Sequence, residues 1–165
     1  MIEIKTFTET DVEFEEITRL FNLVSHDDKE HPEDMKEGWA IRDQSLIRSR
    51  LLLYEDDKAL GFLGYAQGRK ENNRNCYFNI YLDPNYNDNG YRQLLFDKML
   101  EEVNGFKCNR LYADIYEHSN YDQFKNVLIH NGFITKFKVR EYSLKLDSVD
   151  LNKYLSLLEK IDSEG

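Results

Sequence analysis

The residues best placed to do chemistry lie in one stretch, where a strand-like run at 76–82 leads through a polar loop into a helix. The loop ends at Gly90, which permits a ligand to approach the backbone closely. The first N–H groups of a helix lack internal partners and carry partial positive charge, so they stabilise an anion such as a pyrophosphate. The same residues also fit a plain turn rich in Asn and Asp. The candidate anion-binding residues are Asn87, Asp88, Asn89, Gly90, Tyr91, Arg92 and Gln93.

Groups able to move a proton flank the same junction. Tyr81 stands near the end of the strand-like run, and Glu117 and His118 follow the next such run along the chain. A histidine titrates in the range that proton transfer near neutral pH requires. A solvated strand end is the alternative explanation for Glu117 and His118. These three residues are the candidate catalytic groups.

A second polar cluster raises the question of a metal site. His26 and His31 share the loop at 25–32 with Asp27 and Asp28. Metal ligands need a fixed scaffold and groups that orient them, and this loop indicates neither. We interpret the loop as solvated and expect no metal.

The composition fits one globular domain with an ordinary core. The chain has 165 residues, 41% of them hydrophobic, and a formal net charge of -9. An excess of acid disfavours nucleic-acid binding, which depends on clustered Lys and Arg. Cys76 and Cys108 lack CxxC spacing, so neither a disulfide framework nor a zinc site is expected. With no signal-like segment and no long apolar run, we expect a cytoplasmic protein that does not bind membranes.

Hydrophobic periodicity predicts the elements in the first half of the chain. We expect a strand at 2–7, a helix capped by Asp11, and a second helix at 33–45 with Met35, Trp39 and Ile41 facing inward. Two strands at 50–54 and 59–65 form a hairpin around a compact turn.

The second half alternates strands and helices. After the strand at 76–82 comes a helix with an apolar face, then a strand at 110–116, a helix at 121–130 and a long strand at 133–146. Asp150 caps a last helix. The order predicts an α/β fold of the mixed, α+β kind, with a central mixed sheet of about six to seven strands flanked by helices. The apolar face of the central helix consists of Tyr91, Leu94, Leu95, Met99 and Val103.

Two local patterns resemble the GCN5-related N-acetyltransferase (GNAT) superfamily. The run YLDPNYNDNGYR at 81–92 is similar to the strand end, Pro-x-Tyr and Arg/Gln-x-x-Gly-x-Gly/Ala loop of that family. The helix that ends in NGF at 131–133 is similar to the family's helix closed by Gly-Phe. Both patterns lie behind a matching hairpin, and the resemblance covers roughly residues 1–146.

The resemblance implies acetyl-CoA as cosubstrate, bound in a cleft where the fourth and fifth strands splay apart. The pyrophosphate would contact backbone N–H groups from Asp88 to Gln93, and the amide of Leu82 would face the thioester carbonyl. Acetyl transfer to an amine needs a neutral nucleophile, donors for an oxyanion and a proton for the departing thiolate. Positioning two substrates can supply much of the catalysis. The implied contacts of the pantetheine arm are Ser119, Asn120 and Tyr121, with an ordinary helix cap by Ser119 or Asn120 as the alternative. Phe124 is a further candidate cofactor-binding residue.

Four residues depart from the family pattern, one of them Tyr121, which stands where the family often has Asn. Asn87 replaces an Arg or Gln, Arg92 replaces a Gly or Ala, and Leu128 stands four residues before Gly132, where the family often has a proton-donating Tyr. Two functions therefore stay open. One is an acetyl-CoA-dependent N-acetyltransferase, and the other is a degenerate, non-catalytic GNAT-fold domain that acts as a CoA-binding or interaction module.

The resemblance implies a primary amine of a small molecule or peptide as acceptor. The segment that selects the acceptor in this fold, roughly 23–43, is acidic here, which favours a cationic amine; a solvated acidic face is the alternative. We expect a single GNAT-like domain at 1–146 and a C-terminal helical extension at 147–165. A homodimer partner and a second GNAT domain are the open alternatives for protein partners.

Overall fold

A mixed sheet of five strands forms the centre of the part of the chain that the structure describes. This computed structural model describes residues 1–25, 29–68, 75–86, 90–106, 108–115 and 122–136. The strands are β1 (Ile2–Thr6), β2 (Arg48–Glu55), β3 (Lys58–Gln67), β4 (Asn75–Leu82) and β5 (Arg110–Ala113). They lie side by side in chain order, antiparallel from β1 to β4, with β5 parallel to β4. The predicted mixed fold class is confirmed.

Within the described residues, the sheet has five strands, fewer than the six to seven predicted. Of the segment expected to form a long strand at 133–146, the structure describes only residues 133–136, which are not in a strand. The chain divides into two compact units, Met1–Phe133 and Ile134–Gly165. The predicted helical extension at 147–165 lies outside the described residues, and the features below belong to the first unit.

Four helices accompany the sheet within the described ranges. α1 starts after Thr10 rather than being capped by Asp11: the Thr10 hydroxyl accepts from Glu13 N at 3.3 Å, and the Glu13 carboxylate accepts from Thr10 N at 3.1 Å. This reciprocal pair satisfies two donors that the helix cannot bond internally. None of the helices is long and apolar enough to cross a bilayer in the described part of the chain. The helices are α1 (Asp11–Val24), α2 (Pro32–Ala40), α3 (Tyr91–Asn104) and α4 (Asp122–His130).

The end of α2 differs from the prediction. The helix stops at Ala40 instead of continuing to 45, and Ile41 is 85% exposed instead of facing inward. Trp39 is buried, as predicted. Because Trp39 lies in the last turn of α2, the helix end is held against the sheet.

Alternate residues of β4 face two hydrophobic clusters. On one side of the sheet, Phe78 meets Phe96 of α3 and Phe124 of α4, with ring centroids 5.6 Å and 6.1 Å away. On the other side, Tyr81 stacks on Phe62 of β3 at 4.6 Å. This alternation is the period-two pattern of a strand. It places α3 and α4 on one face of the sheet and leaves the Tyr81 face to α1 and α2.

The buried face of α3 is rotated relative to the prediction. Leu95, Met99 and Val103 are buried as expected, but Leu94 is 43% exposed. Arg92 is 7% exposed and takes the inward position. Arg92 precedes Leu95 by three residues, so both lie on one stripe, whereas Leu94 falls at the edge of that stripe. The prediction for Leu94 was therefore wrong.

Candidate active site

The strands β4 and β5 separate before β4 ends. Their parallel pairing runs from Asn75 with Arg110 to Phe78 with Ala113, but β4 continues to Leu82. Among the described residues, no strand pairs with β4 beyond Phe78 on the side away from β3. We call this opening the β4–β5 gap. It lies where the resemblance places the cleft between splayed strands.

The register of β4 directs the Leu82 N–H into the β4–β5 gap. Asp83 N donates to Leu60 O at 2.8 Å, and Gly68 N donates to Asn75 O at 3.0 Å. In an antiparallel pair, the residues that exchange hydrogen bonds alternate along each strand. The odd-numbered residues of β4 therefore bond to β3, and Leu82 presents its backbone to the opposite side. A hydrogen-bond donor thus faces the opening.

The end of β4 is held close to β3 by Gly61, which lies opposite Leu82. A Cβ at Gly61 would lie 2.6 Å from Tyr81 O and 2.3 Å from Leu82 Cδ2. No side chain fits at that distance. The absence of a side chain at Gly61 therefore sets the position of the Leu82 amide.

A buried carboxylate fixes the turn that follows β4. Asp83 is 3% exposed, and its carboxylate accepts from Asn85 N at 3.0 Å, from Asn85 Nδ2 at 2.8 Å and from Arg19 Nη1 at 3.2 Å. Burial alone would raise the pKa of the Asp83 carboxyl, but these hydrogen bonds outweigh it and hold the pKa below its ordinary value. Tyr86 N donates to Asp83 O at 3.0 Å, which closes the turn. The backbone leaving β4 is therefore fixed toward α3.

The start of α3 has the features of an anion-binding site. Gly90 has a φ of 82°, a left-handed conformation that glycine adopts without strain, and it precedes the first helical residue. The first helical hydrogen bond runs from Leu94 N to Gly90 O at 3.0 Å. No side chain of the described residues caps this helix end. A Cβ built at Gly90 would meet no atom within 4 Å, so the backbone is open to a ligand.

The first turn of α3 is tied to α4. Arg92 Nη1 donates to Gln123 Oε1 at 2.9 Å, and Asn131 Nδ2 donates to Gln93 Oε1 at 2.8 Å. The structure places the Arg92 guanidinium against α4. The hydrogen bonds of Arg92 and Gln93 thus connect the first turn of α3 with the region of α4.

A cavity of about 400 Å³ lies on the Tyr81 face of the sheet, beside α2. Its floor follows a row across three strands, because Arg50 lies opposite Gly64 and Gly64 lies opposite Asn79. Gly64 has no side chain, so the space above it is open between the two polar residues. Cavities of this size hold small-molecule ligands. Its aromatic walls are formed by Phe21, Trp39, Phe62 and Tyr81.

The cavity and the β4–β5 gap meet at Asn79. With its amide oriented to satisfy its neighbours, Asn79 Nδ2 donates to Asp114 O at 3.0 Å. Asp114 is exposed and lines the cavity together with Asn79. The backbone of Asp114 and the Asn79 amide are therefore brought together where the two strands separate.

Arg50 places a partly buried positive charge in the cavity wall. Its guanidinium lies over the ring of Trp39 at 4.7 Å and over Phe7 at 5.5 Å. Nη1 is buried and has no hydrogen-bond partner among the described residues. Burial, followed by the nearby charges of Arg48 and Arg42, lowers the pKa of Arg50 to about 10. Arg50 therefore stays charged at neutral pH.

The predicted site residues fall into three groups. Tyr81 lies in the cavity wall, and Leu82 and Gly90 lie at the two ends of the turn described above. Phe124 is completely buried against Phe78, so it contributes to the hydrophobic core, and Leu128 is buried with it. Tyr91, Arg92 and Gln93 form the first turn of α3, next to Gly90. The predicted residues that lie outside the described ranges are Asn87, Asp88, Asn89, Glu117, His118, Ser119, Asn120 and Tyr121.

Sequence reasoning missed Arg50 and Asp114 as site residues. A signal for Asp114 was present, because it alternates with Tyr112 along a strand-like run and so points to the same face. Arg48 and Arg50 alternate in the same way at the start of β2. No spacing in the sequence indicates that Arg50 and Asn79 share one row, because that depends on the register of three strands.

Comparison with known proteins agrees with this architecture. Residues 12–123 match the model of the acetyltransferase (GNAT) family. By sequence, no curated protein matches the chain. An N-acetyltransferase from Staphylococcus aureus Mu50 superimposes with a TM-score of 0.70 at 14% identity, over 88% of this chain and 91% of that chain.

Two further solved structures share the fold and were determined with a ligand of the family. The yncA protein from Salmonella typhimurium, with its cofactor acetyl-CoA, has a TM-score of 0.67 at 15% identity, over 88% of this chain and 86% of that chain. An aminoglycoside N-acetyltransferase in complex with CoA has a TM-score of 0.63 at 15% identity, over 88% and 95%. The family model spans more than half of the sequence, and the chain belongs to the GNAT acetyltransferase family.

Proposed function

We propose that this protein is an acetyl-CoA-dependent N-acetyltransferase that acts on a primary amine of a small molecule or peptide. The observation that carries the proposal is the β4–β5 gap, into which the Leu82 N–H points from the end of β4. Membership of the family makes acetyl transfer the expected reaction class. The solved relatives with CoA or acetyl-CoA support the choice of acyl donor.

The described residues fit acetyl-CoA at both ends of the turn between β4 and α3. The open backbone at Gly90 and the first turn of α3, with Tyr91, Arg92 and Gln93, would hold the pyrophosphate. The Leu82 N–H would donate to the oxygen of the thioester carbonyl. The predicted contributions of 87–89, Asn120 and Tyr121 belong to the same proposal.

Acetyl-CoA supplies an activated acetyl group. In the transfer, a C–N bond forms, the C–S bond breaks, the amine loses a proton and the departing thiolate gains one. The Leu82 N–H would stabilise the negative charge that develops on the carbonyl oxygen. The protein also orients the two reactants, which removes much of the entropic cost of their encounter.

Asp114 is the carboxylate that the described geometry offers for the amine proton. It is exposed beside Asn79 at the β4–β5 gap, so a proton can reach it directly or through water. Glu117 and His118, which follow in the sequence, remain proposed alternatives. Replacing Asp114 with Asn should lower kcat/KM and alter its pH–rate profile, because the proposed proton acceptor is removed. An unchanged pH–rate profile would remove Asp114 from this role.

A second candidate function is favoured by Leu128. It is buried in the core at the position where the family often has a proton-donating Tyr. A CoA-binding module without turnover would need no such donor. Binding of acetyl-CoA without acetylation of any amine would support this candidate over the enzyme.

The proposed cofactor site is tested by calorimetric titration with acetyl-CoA and with desulfo-CoA. The native protein should bind in the micromolar range, and Gly90→Glu should lose at least tenfold in affinity because its carboxylate repels the pyrophosphate. Gly132→Ala is the matched control: Gly132 has a φ of 81° and open space around its Cβ, so it carries the same backbone strain as a change at Gly90. This control should keep its affinity. Absence of binding at millimolar acetyl-CoA would contradict the proposal.

A further inference from the structure

We propose that the acceptor is an amino carboxylate, whose carboxylate binds the Arg50 guanidinium in the cavity while its amino group reaches the β4–β5 gap beside Asn79. This inference rests on the proposed acetyltransferase function and specifies its acceptor. It is drawn from the arrangement of charges along the cavity floor. The acidic segment 23–43 alone would favour a plain cationic amine. Arg50 adds a positive charge to the cavity, which favours an acceptor that also carries a negative charge.

The floor of the cavity aligns the two ends of such a ligand. Arg50, Gly64 and Asn79 form one row across β2, β3 and β4. Neighbouring strands lie about 5 Å apart, so the Cα atoms of Arg50 and Asn79 are separated by about 10 Å. Residues paired across antiparallel strands point to the same face. Arg50 Cγ lies 3.9 Å from the position of a Gly64 Cβ, and the guanidinium lies over Trp39 and Phe7. Arg50 and Asn79 therefore stand at the two ends of the row, with only the missing side chain of Gly64 between them.

Arg50 has one hydrogen-bond donor that the described residues do not use. Its Nη1 is buried and makes no hydrogen bond within the described residues. A buried donor without an acceptor is costly, and an anion supplied by a ligand would offset that cost. The planar guanidinium matches a carboxylate with two parallel hydrogen bonds.

The neighbouring Arg42 differs from Arg50 in that both of its terminal nitrogens form hydrogen bonds within the protein. Arg42 also lies over Trp39, at 4.3 Å, but its Nη2 bonds Glu9 at 2.8 Å and its Nη1 donates to Trp39 O at 2.7 Å. Its charge is already matched within the protein. Of these two guanidinium groups on the Trp39 ring, only that of Arg50 has a buried nitrogen without a hydrogen-bond partner among the described residues.

The opposite end of the cavity suits the amino group. Asp114 lies beside Asn79, and Glu30 and Asp34 line the α2 side of the same cavity. Because both carboxylates and arginines line the cavity, it carries both signs of charge. Such a cavity favours a zwitterion over a polycation or a simple anion. The aromatic walls then accept an apolar body between the two charged ends.

Trp39 provides a direct measurement of occupancy that needs no acetyl transfer. It is the single tryptophan of the chain, is buried, and contacts the Arg50 guanidinium. The probes are 3-phenylpropionate and 4-methylpentanoate, which carry the carboxylate and an apolar body but no amine. Each is titrated while the fluorescence of Trp39 is recorded, against the corresponding neutral amide. We expect a saturable change with the carboxylates and at least tenfold weaker binding of the amides.

Two variants assign the binding group. Arg50→Met keeps the length of the side chain but removes its charge, and should abolish the preference for the carboxylates over the amides. Arg50→Lys keeps the charge and should retain part of the preference. Arg42→Met is the matched control, because it removes a neighbouring guanidinium that is already paired, and should leave the preference intact. Circular dichroism and the unfolding temperature verify that each variant is folded.

Measurements of acetyl transfer test this inference and the proposed function separately. With acetyl-CoA, L-phenylalanine and L-leucine should be acetylated with at least tenfold higher kcat/KM than their amides, and Arg50→Met should remove that difference. Acetylation of the amides at equal rates would overturn the amino-carboxylate inference and leave the transferase intact. Carboxylate binding lost in Arg50→Met, without acetylation of any amine, would support the Arg50 site and contradict the transferase. No saturable binding of either carboxylate would overturn the inference.

Discussion

Gly61 and Gly64 lie on the same strand, but the molecule needs them for different reasons. At Gly61, an added methyl group would lie 2.6 Å from Tyr81 O, so β3 and β4 would have to separate. We expect Gly61→Ala to lower the free energy of unfolding by about 1–3 kcal/mol. Because the end of β4 would move, the affinity for acetyl-CoA should fall as well. Chemical denaturation and calorimetry measure the two effects.

Gly64→Ala is the control on the same strand. The nearest atom to its added methyl group is Arg50 Cγ at 3.9 Å, an ordinary contact. Replacing a strand glycine with alanine also reduces the entropy lost on folding, by about 0.5–1 kcal/mol. The stability of Gly64→Ala should therefore be unchanged or higher. Equal destabilisation by the two substitutions would show that the approach of β3 to Leu82 is not what constrains Gly61.

The lowered pKa of Asp83 predicts how the free energy of unfolding depends on pH. Its pKa is lower in the folded protein than in the unfolded chain, so its ionised form stabilises the fold. That contribution is complete above the unfolded pKa of about 4 and is lost as the pH falls through the folded pKa. Asp83→Asn should cost about 1–2 kcal/mol at neutral pH, an amount reduced by the partial exposure of Arg19.

The pH dependence of the difference in unfolding free energy between the native protein and Asp83→Asn shows whether the charge of Asp83 causes that difference. Unfolding free energies of the native protein and Asp83→Asn should converge as the pH is lowered below about 4, because the native carboxyl is then protonated. A difference that stays constant down to pH 2 would assign the effect to packing rather than charge.

At the scale of elements, two adjacent leucines of α3 test which face of this helix is buried. Leu95→Ala should cost about 2–5 kcal/mol, because Leu95 is fully buried beside Phe96 and Met99. Leu94→Ala should cost less than about 0.5 kcal/mol, because Leu94 is 43% exposed. The two residues are adjacent and chemically identical, so thermal unfolding of the two variants compares position alone. Equal losses would contradict the orientation of α3.

The elements themselves were largely predictable from the sequence. The hairpin of β2 and β3, the strand β4 and the helices α1 and α4 appear where local periodicity places them. Their ends were less predictable, because a cap such as Thr10 depends on a hydrogen bond rather than on hydrophobicity. The exchange of Leu94 for Arg92 on the buried face of α3 was not predictable, because the partner of Arg92 is Gln123 on a distant helix.

At the scale of the whole molecule, one part of the candidate site is formed by residues that are close in the sequence, and the other part is formed by residues on different strands. Gly90 and Leu82 were found from the sequence, because a strand, a turn and a helix are consecutive in the chain. Arg50, Gly64 and Asn79 come together only through two strand registers. The register is set by packing of the entire sheet and cannot be read from a local pattern. The acceptor cavity is therefore a property of the assembled sheet.

The β4–β5 gap also has a consequence for the order of folding. The strands β2, β3 and β4 follow one another in antiparallel order, whereas β5 joins β4 only after α3 has crossed over. Closing the longer connection costs more chain entropy, so we expect β5 to pair late. In pulse-labelled hydrogen exchange during refolding, amides of β2 and β3 should gain protection before those of β5; simultaneous protection would argue against this order. The ligand cleft would then form after the antiparallel strands β2, β3 and β4 have paired, and a newly made chain would reach its binding-competent state only once those strands are in place.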